Sequence, residues 1–351
     1  MNKFLDSYFK TIKKFLPEKT SETSVGIDIG SGECKLIELQ KKADGYEVVN
    51  WSIRPVDNND IPAALKAMLA KLGSGKRSIY TSVSGRGTLI RYIELPHMSL
   101  EDIKSSFSLE ADKYFPFAQN EIYSDCFIVD NENKKKPMYI MAAVAKKDMV
   151  DQRIKLLSDM GIKVDFIGLN PVALANVINV LGVGEEGKSD KAVAVLDIGG
   201  SISNLSIFIK GNPWFTRDIF VGGKDFTKRI SNLLGVDMNQ AEMLKTSPGD
   251  QLEKILEACD SAVMNIVQEI KLSFDYFTTE RNLEIGKLLL TGGASRLEGL
   301  PERMAKHLEI PVNYWDPINL VKVSSDLSKD ELKKESLKLG VALGLALYNY
   351  D

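Results

Sequence analysis

One short pattern occurs twice in this 351-residue chain and constrains its fold more than any other feature. Asp28-Ile29-Gly30 ends an apolar run in VGIDIGSGECKLIEL, and Asp197-Ile198-Gly199 ends another in AVAVLDIGGSISNLSIF. In both places the pattern predicts a buried strand, a glycine turn and two further strands. A repeat of this kind predicts two lobes of similar topology, and the chain length leaves room for both.

A third glycine turn follows the apolar run that ends at Thr291, in LLLTGGASRLEGLPERM. Glycines let bare N–H groups approach phosphate oxygens, although any single turn is as compatible with an ordinary hairpin. Three such turns, two of them opening with an aspartate, predict a phosphate site. Asp28 and Asp197 are suited to hold Mg²⁺ through its water shell, and Lys35 to neutralise phosphate charge.

Composition excludes several other classes of function. The 45 basic and 48 acidic residues give a net charge of −3 without a long block of one sign, so we predict no nucleic-acid surface. Cys34, Cys126 and Cys259 are too far apart for a disulfide framework or a zinc site, and two histidines are too few for a histidine-rich metal site. The uncharged apolar runs fall far short of the ~20 residues that span a membrane. We therefore expect a protein of the reducing cytoplasm.

The first 23 residues form a separate tail. Apolar residues recur at helical spacing over 2–16, Pro17 ends the pattern, and a polar linker follows. Two interpretations stay open: a docked tail, or a helix on a membrane surface whose Lys10, Lys13 and Lys14 meet anionic head groups.

Mixed α/β patterns continue along the chain. Residues 91–168 have the pattern of a separate α/β module, with a helix from Ser99 to Tyr114 and a second from Lys147 to Met160. Ser99 is a typical N-cap, because acidic residues follow it in the first turn. Helical periodicity returns over 224–234, 239–245 and 251–277, and a helix of small residues closes the chain.

These segments resemble the actin and heat-shock chaperone superfamily. GIDIGSGECKL is similar to its first phosphate loop, LDIGGSISNLSIF to its second, LLLTGGASRLEGLPERM to its adenosine motif and GVALGLAL to its second connecting helix, in the right order. QAEMLK resembles the AExxK element of FtsA and PilM proteins, which implies that Glu242 meets ribose hydroxyls and Lys245 lies beside the base. An exposed i, i+3 ion pair is the alternative.

The position of the module and its EADKYFPF segment resemble the PilM family of type IV pilus assembly proteins. This resemblance implies an α/β protein of the actin-like ATPase fold, with two ribonuclease-H-like lobes and an FtsA/PilM-type inserted subdomain. The expected boundaries are the tail and linker at 1–23, the first lobe at 24–90, the inserted subdomain at 91–168, its connecting helix at 169–195, the second lobe at 196–325 and a C-terminal connecting helix at 326–351.

The resemblance also implies ATP with Mg²⁺ between the lobes. Asp28 and Asp197 are the expected metal ligands. The expected nucleotide contacts are Gly30, Ser31, Gly32, Lys35, Gly199, Gly200, Ser201, Ser203, Gly222, Gly223, Glu242, Lys245, Gly292, Gly293, Ala294 and Ser295. One departure concerns the first connecting segment, where Gly168 and Asn170 replace the acidic residues usual in the family. An amide cannot act as a general base, so slow hydrolysis is expected unless Asp165 serves instead.

By resemblance, the chain is an ATP-binding cytoplasmic scaffold of a type IV pilus or related type II secretion complex. It is expected beneath the inner membrane, where it binds the cytoplasmic N-terminal peptide of PilN and links the alignment complex to the cytoplasmic motor. We expect the peptide between the first lobe and the module, near 90–95 and 110–117, unless Tyr114, Phe115 and Phe117 simply fill the module's core. A sugar or acid kinase and an FtsA-like filament protein remain alternatives, because fold does not fix function.

Overall fold

The computed structural model describes residues 23–57, 60–73, 75–131, 135–183 and 191–348; the helix predicted at 2–16 lies outside them. The strands are β1 (Thr23–Ile29), β2 (Glu33–Lys42), β3 (Gly45–Pro55), β4 (Arg77–Val83), β5 (Thr88–Leu95), β6 (Ile122–Asp130), β7 (Met138–Lys146), β8 (Phe166–Leu169), β9 (Ala192–Ile198), β10 (Ser203–Ile209), β11 (Asn212–Ile219), β12 (Ile285–Thr291), β13 (Val312–Tyr314) and β14 (Lys322–Val323). The helices are α1 (Ile61–Leu69), α2 (Leu100–Glu110), α3 (Lys147–Ser158), α4 (Asn170–Leu181), α5 (Gly223–Leu234), α6 (Met238–Thr246), α7 (Leu252–Arg281), α8 (Leu300–Leu308), α9 (Lys329–Glu335) and α10 (Gly340–Leu347).

Two sheets repeat one arrangement. In the first, β1, β2 and β3 form an antiparallel meander, β4 runs parallel to β1, and the order is β14-β3-β2-β1-β4-β8. In the second, β9, β10 and β11 form the meander, β12 runs parallel to β9, and the order is β11-β10-β9-β12-β13. Asp28 pairs with Lys35 in the first sheet, and Asp197 pairs with Asn204 in the second. The two lobes of like topology are confirmed.

Helices α4 and α10 lie between the two sheets. Their apolar residues share one buried cluster with residues of both lobes, among them Ile37 and Leu39 of β2 and Val193 and Val195 of β9. The outer face of the first sheet is covered by α1 and α3, and α5 to α8 pack on the outer face of the second. The inner helices therefore join the lobes through a common core.

The third sheet, in the order β5-β7-β6, belongs to the inserted module. Its strands run from Thr88 to Lys146, a shorter stretch than the expected 91–168. The difference arises because Leu157 of α3 packs in the core of the first lobe and β8 pairs with β4. Likewise, β9 begins the second lobe's sheet at Ala192, before the expected boundary at 196.

Helix α2 covers the third sheet. The Ser99 hydroxyl accepts a hydrogen bond from the Asp102 N–H at 3.1 Å, so the predicted N-cap is confirmed. The helix ends at Glu110, and a 3-10 turn continues the chain to Lys113. Phe115 is buried there, with Tyr114 and Phe117 packed against the same cluster. These rings fill the module's own core, the alternative that the sequence left open.

Candidate functional site

The first two glycine turns close in the same way. Gly30 N–H donates to the Glu33 carbonyl at 3.0 Å, and Gly199 N–H donates to the Ile202 carbonyl at 3.1 Å. The turns face each other from opposite lobes, because the hydroxyl oxygens of Ser31 and Ser201 are 2.8 Å apart. The repeat in sequence is thus a repeat in geometry, with the two turns meeting at the cleft between the lobes.

Two buried aspartates lie beneath these turns. Lys35 Nζ bonds to Asp28 Oδ2 at 3.0 Å. A Cβ atom added at Gly292 would collide with Asp197 Oδ1, and Gly292 has a φ of 91°, so this position favours glycine on both grounds. The third turn therefore packs directly on the second aspartate.

The carboxylates and Lys35 influence one another electrostatically. Burial and, to a smaller extent, the negative charge of Asp28 raise the pKa of Asp197 to about 6, while Lys35 opposes the shift. Burial tends to lower the pKa of Lys35, but attraction to Asp28 and Glu33 outweighs it and leaves that pKa raised. Lys35 thus remains charged beside the aspartates.

Gly222 and Gly223 form a fourth part of the cleft. Gly223 N–H donates to the Gly199 carbonyl at 2.9 Å, and Lys224 N–H donates to the Gly200 carbonyl at 2.8 Å. Helix α5 thus begins against the second glycine turn. The Lys224 ammonium crosses the cleft and donates to the Ser31 carbonyl at 3.0 Å.

Glu242 and Lys245 form an i, i+3 ion pair, but it is only half exposed. Their charged atoms are 2.6 Å apart, and Lys245 also donates to the Gly223 carbonyl at 3.2 Å and to Thr227 Oγ1 at 2.9 Å. Lys245 is buried, whereas the Glu242 side chain is about half exposed. The pair therefore sits beside the start of α5, within reach of the cleft.

The third turn adjoins the others. A Cβ atom at Gly223 would lie 2.8 Å from Ala294 Cβ, and one at Gly293 would lie 3.9 Å from Glu33 Oε2. Ser295 is fully buried, and its hydroxyl donates to the Gly292 carbonyl at 2.7 Å. Ser203 is also fully buried, with its hydroxyl bonded to the Val221 carbonyl at 2.7 Å. These two buried hydroxyls stabilise the backbone of the turns through their hydrogen bonds to carbonyl groups.

Sequence reasoning did not single out several residues of the cleft. Lys338 bonds to Glu33 at 2.7 Å and joins the first glycine turn to the segment before α10. Lys224 and Thr227 complete the contacts around α5. Lys224 directly follows the predicted site residue Gly223, so the sequence could have indicated that it lies at the cleft. Glu33 and Lys338 are far apart in sequence, and no local pattern predicts that they pair.

The donor set fits a phosphate ligand with a hydrated cation. Across the described ranges, which leave gaps at 58–59, 74, 132–134 and 184–190, no group of three or more His, Cys, Asp and Glu side chains could hold a metal alone. Mg²⁺ characteristically keeps water and phosphate oxygens among its ligands, so two carboxylates are sufficient from the protein. Arranged as they are, these residues can bind polyphosphate.

The first connecting segment contains no free carboxylate beside this cleft at the expected positions. Asn170 begins α4 and accepts a hydrogen bond from Ser82 Oγ at 2.7 Å, and Gly168 lies against the Phe166 ring. Asp165 accepts the Ile79 N–H at 2.8 Å and lines a different cavity. Asp165 is therefore poorly placed to replace the family's acidic residues.

That second cavity, of about 780 Å³, separates the inserted sheet from the first lobe. Its walls come from β6 and β7 on one side and from α3, β8 and α4 on the other. Several exposed large apolar side chains line it: Leu100, Tyr123, Phe127, Ile154 and Tyr348. Lys104 and Asp125 form an ion pair at its edge, 2.7 Å apart. The cavity combines apolar walls with a charged rim.

None of the helices in the described part of the chain has the length and apolar composition of a membrane span.

Comparison with known proteins adds a family and a set of relatives. The family model described as type IV pilus assembly protein PilM matches residues 26–350. The cell division protein FtsA of Bacillus subtilis (strain 168) is 24% identical over 264 residues, 65% of this chain and 58% of that protein. FtsA of Neisseria meningitidis serogroup B is 28% identical over 193 residues, 46% of this chain and 44% of that protein. The chain spans about half the length of such relatives.

Solved structures share the fold. A PilM-PilN type IV pilus biogenesis complex superimposes with a TM-score of 0.82 and 24% identity, covering 93% of this chain and 98% of its counterpart. The ethanolamine utilization protein EutJ from Carboxydothermus hydrogenoformans gives 0.55 at 14% identity, covering 93% and 89%. MreB5 of Spiroplasma citri bound to AMPPNP gives 0.51 at 12%, covering 94% and 96%. The actin-like ATPase fold expected from the sequence is confirmed.

Proposed function

The chain belongs to the type IV pilus assembly protein PilM family, and from this membership we propose that it is an ATP-binding scaffold which holds the cytoplasmic N-terminal peptide of PilN. In this role it sits beneath the inner membrane and links the alignment complex to the cytoplasmic motor of a pilus or a related type II secretion system. The observation that carries the proposal is the meeting of two like glycine turns, with Ser31 and Ser201 in contact across the cleft.

The nucleotide's phosphates would lie between these turns. Ser31 and Ser201 would exchange their mutual hydrogen bond for bonds to phosphate oxygens, and Lys35 and Lys224 would balance the added charge. Asp28 and Asp197 would hold the hydrated Mg²⁺ that accompanies the phosphates. The Glu242–Lys245 pair is suited to ribose and base, because it adjoins Gly223 at the same cleft.

Thermal unfolding with and without ligand tests the nucleotide site. ATP or ADP with Mg²⁺ at a hundredfold excess over Kd should stabilise the wild type by ~2.7 kcal/mol. Asp28→Ala and Lys35→Ala should lose most of this ligand-induced gain, whatever their own melting temperatures. Lys322→Ala, which removes an exposed lysine paired with Asp44 outside the cleft, should keep it. A wild type that gains nothing from either nucleotide would refute the proposal.

The cavity of about 780 Å³ is the proposed peptide site. A solved structure of the same fold contains PilN, which supports PilN as the partner. The expected region between first lobe and module is retained, but neither 90–95 nor 110–117, whose rings fill the module's core, lines the cavity. The proposed contacts are therefore the exposed side chains of β6. Tyr123 and Phe127 are 48% and 45% exposed there, large apolar groups that a peptide could cover.

Fluorescence anisotropy with a synthetic peptide of the cognate PilN N-terminus tests this location. Tyr123→Ala and Phe127→Ala should each weaken binding roughly tenfold, because truncating an interface aromatic often costs more than 1 kcal/mol. Leu109→Ala, which removes a 70% exposed leucine of α2 outside the cavity, is the matched control and should bind as wild type. Equal affinities for all four proteins would exclude the cavity.

A further inference from the structure

Four side chains form a continuous stack between the inserted module and the second lobe; we term it the aromatic bridge. Tyr92 of β5 and Tyr139 of β7 stack with ring centroids 5.5 Å apart, and Tyr139 stacks on Trp214 of β11 at 4.9 Å. Arg281, the last residue of α7, places its guanidinium carbon 3.8 Å from the Tyr139 centroid and 5.1 Å from that of Trp214. Near-parallel rings with a cation over them attract one another.

Hydrogen bonds reinforce the same contact. The hydroxyl oxygens of Tyr92 and Thr216 are 3.1 Å apart, and the Tyr139 hydroxyl donates to the Trp214 carbonyl at 3.4 Å. β5 and β11 are edge strands of their sheets, so the bridge joins two edges that are not otherwise paired. It is a contact between the module and the second lobe, separate from the meeting of Ser31 and Ser201.

The bridge also adjoins the cavity of about 780 Å³. Asn212 and Pro213 line that cavity and immediately precede Trp214. Met141, another lining residue, accepts the Tyr92 hydroxyl at its sulfur at 3.6 Å. Any shift of the second lobe that moves Trp214 must therefore move part of the cavity wall.

We propose that the aromatic bridge makes the second lobe part of the peptide cavity, so that peptide affinity depends on how the lobes are held by nucleotide. This inference rests on the proposed function. A nucleotide bound at the glycine turns would affect how the second lobe is placed, and the aromatic bridge affects the placement of the same lobe. Two ligands that favour the same placement must change each other's affinity reciprocally. Trp214 and Arg281 are positioning residues: they set the place of the Asn212–Pro213 wall.

The experiment measures affinity for the PilN N-terminal peptide with and without ATP and Mg²⁺, and ATP affinity with and without peptide. In the wild type each ligand should change the affinity for the other about fivefold or more. Trp214→Ala and Arg281→Ala should bind each ligand alone, but the change should fall below about twofold. Trp214→Phe keeps a ring and should retain the coupling, and Arg229→Ala, an exposed arginine of α5 outside the bridge, is the matched control.

The outcomes are distinct. If coupling survives in both Trp214→Ala and Arg281→Ala, or if the wild type binds both ligands without coupling, the proposed role of the bridge is wrong. The proposed function is then unaffected. A wild type that fails to bind nucleotide or peptide overturns the proposed function, and the bridge with it. Loss of coupling in both alanine variants, with recovery in Trp214→Phe, supports the bridge, because a purely structural defect would weaken binding of each ligand alone.

Discussion

Lys35 is bonded to one buried carboxylate, Asp28, and acts electrostatically on a second, Asp197. The equivalent strand position in the second lobe is Asn204, which donates to Asp218 instead. The two lobes share a topology but differ in chemistry at this position, because the first lobe has a cation there and the second has an amide. Asp197 is buried beside the negative charge of Asp28, and Lys35 only partly opposes the resulting rise in its pKa, so the site favours a divalent ion between the two carboxylates.

The raised pKa of Asp197 predicts how stability depends on pH when nucleotide and metal are absent. Its folded value of about 6 lies above the ordinary ~3.9 of an unfolded aspartate. The folded state therefore binds the proton more tightly, so this group lowers stability fully above pH 6, and the penalty fades as pH falls toward 4. Asp197→Asn should be more stable than wild type at pH 7.5 by roughly 1–3 kcal/mol, with the advantage gone near pH 4.

Urea unfolding in EDTA at several pH values measures this difference. Asp159→Asn changes an exposed carboxylate at the end of α3 and serves as the control. The same Asp197→Asn protein should lose its stabilisation by ATP and Mg²⁺, since one metal ligand is gone. A variant that is less stable than wild type at pH 7.5 would mean that the charged carboxylate is well solvated or paired.

At the scale of elements, the lobes are joined where helices and strands touch through their backbones. A Cβ atom at Gly344 of α10 would collide with the carbonyl of Ala173 on α4, and one at Gly26 of β1 would collide with the carbonyl of Ala342. The small residues of GVALGLAL thus allow α10 to pack between β1 and α4. The close approach fixes both connecting helices in one core.

Gly344→Ala should destabilise the protein by about 3 kcal/mol, the upper end for overpacking, because the colliding atom is backbone and cannot rotate away. The urea midpoint, read by circular dichroism, reports the loss. Gly73→Ala adds a methyl group where nothing lies within 4 Å and should leave the midpoint nearly unchanged. Equal midpoints for the two variants would contradict the packing described here.

Patterns local in sequence were enough to predict the Ser99 cap, the two-lobed topology and the meeting of the glycine turns. Each of these features is encoded by a short run of residues whose local preferences agree with the fold. The extent of the inserted module depended on pairing between distant segments. Whether Phe166–Leu169 joins β4 or a separate sheet is decided by register, which composition does not encode. Tyr114 and Phe117 have the same apolar pattern whether they fill a core or face a partner.

On the scale of the whole molecule, the cleft between the lobes adjoins a connecting segment that has Gly168 and Asn170 where acidic residues were expected. Asn170 stands at the start of α4, where the lobes are joined, and its amide oxygen is occupied by Ser82. Asp165, the nearest acid in sequence, is held by the Ile79 N–H and lines the cavity of about 780 Å³. A cleft of this kind suits a nucleotide that holds two lobes together for a partner, a role that requires occupancy and gains nothing from fast turnover.

We therefore predict that ATP hydrolysis is slower than ~1 s⁻¹, the lower end of ordinary enzyme rates, with or without the PilN peptide. Asn170→Asp would supply the carboxylate that the segment lacks and should raise the rate at least tenfold, since a positioned base contributes about a hundredfold or more. A phosphate-release assay measures both proteins, with Asn179→Asp, which changes an α4 amide lining the cavity of about 780 Å³, as the matched control. Rapid phosphate release by the wild type that vanishes in Asp197→Ala would contradict the prediction, because the cleft would then already contain a working base. If Asn170→Asp releases phosphate at the wild-type rate, residue 170 lies away from the terminal phosphate.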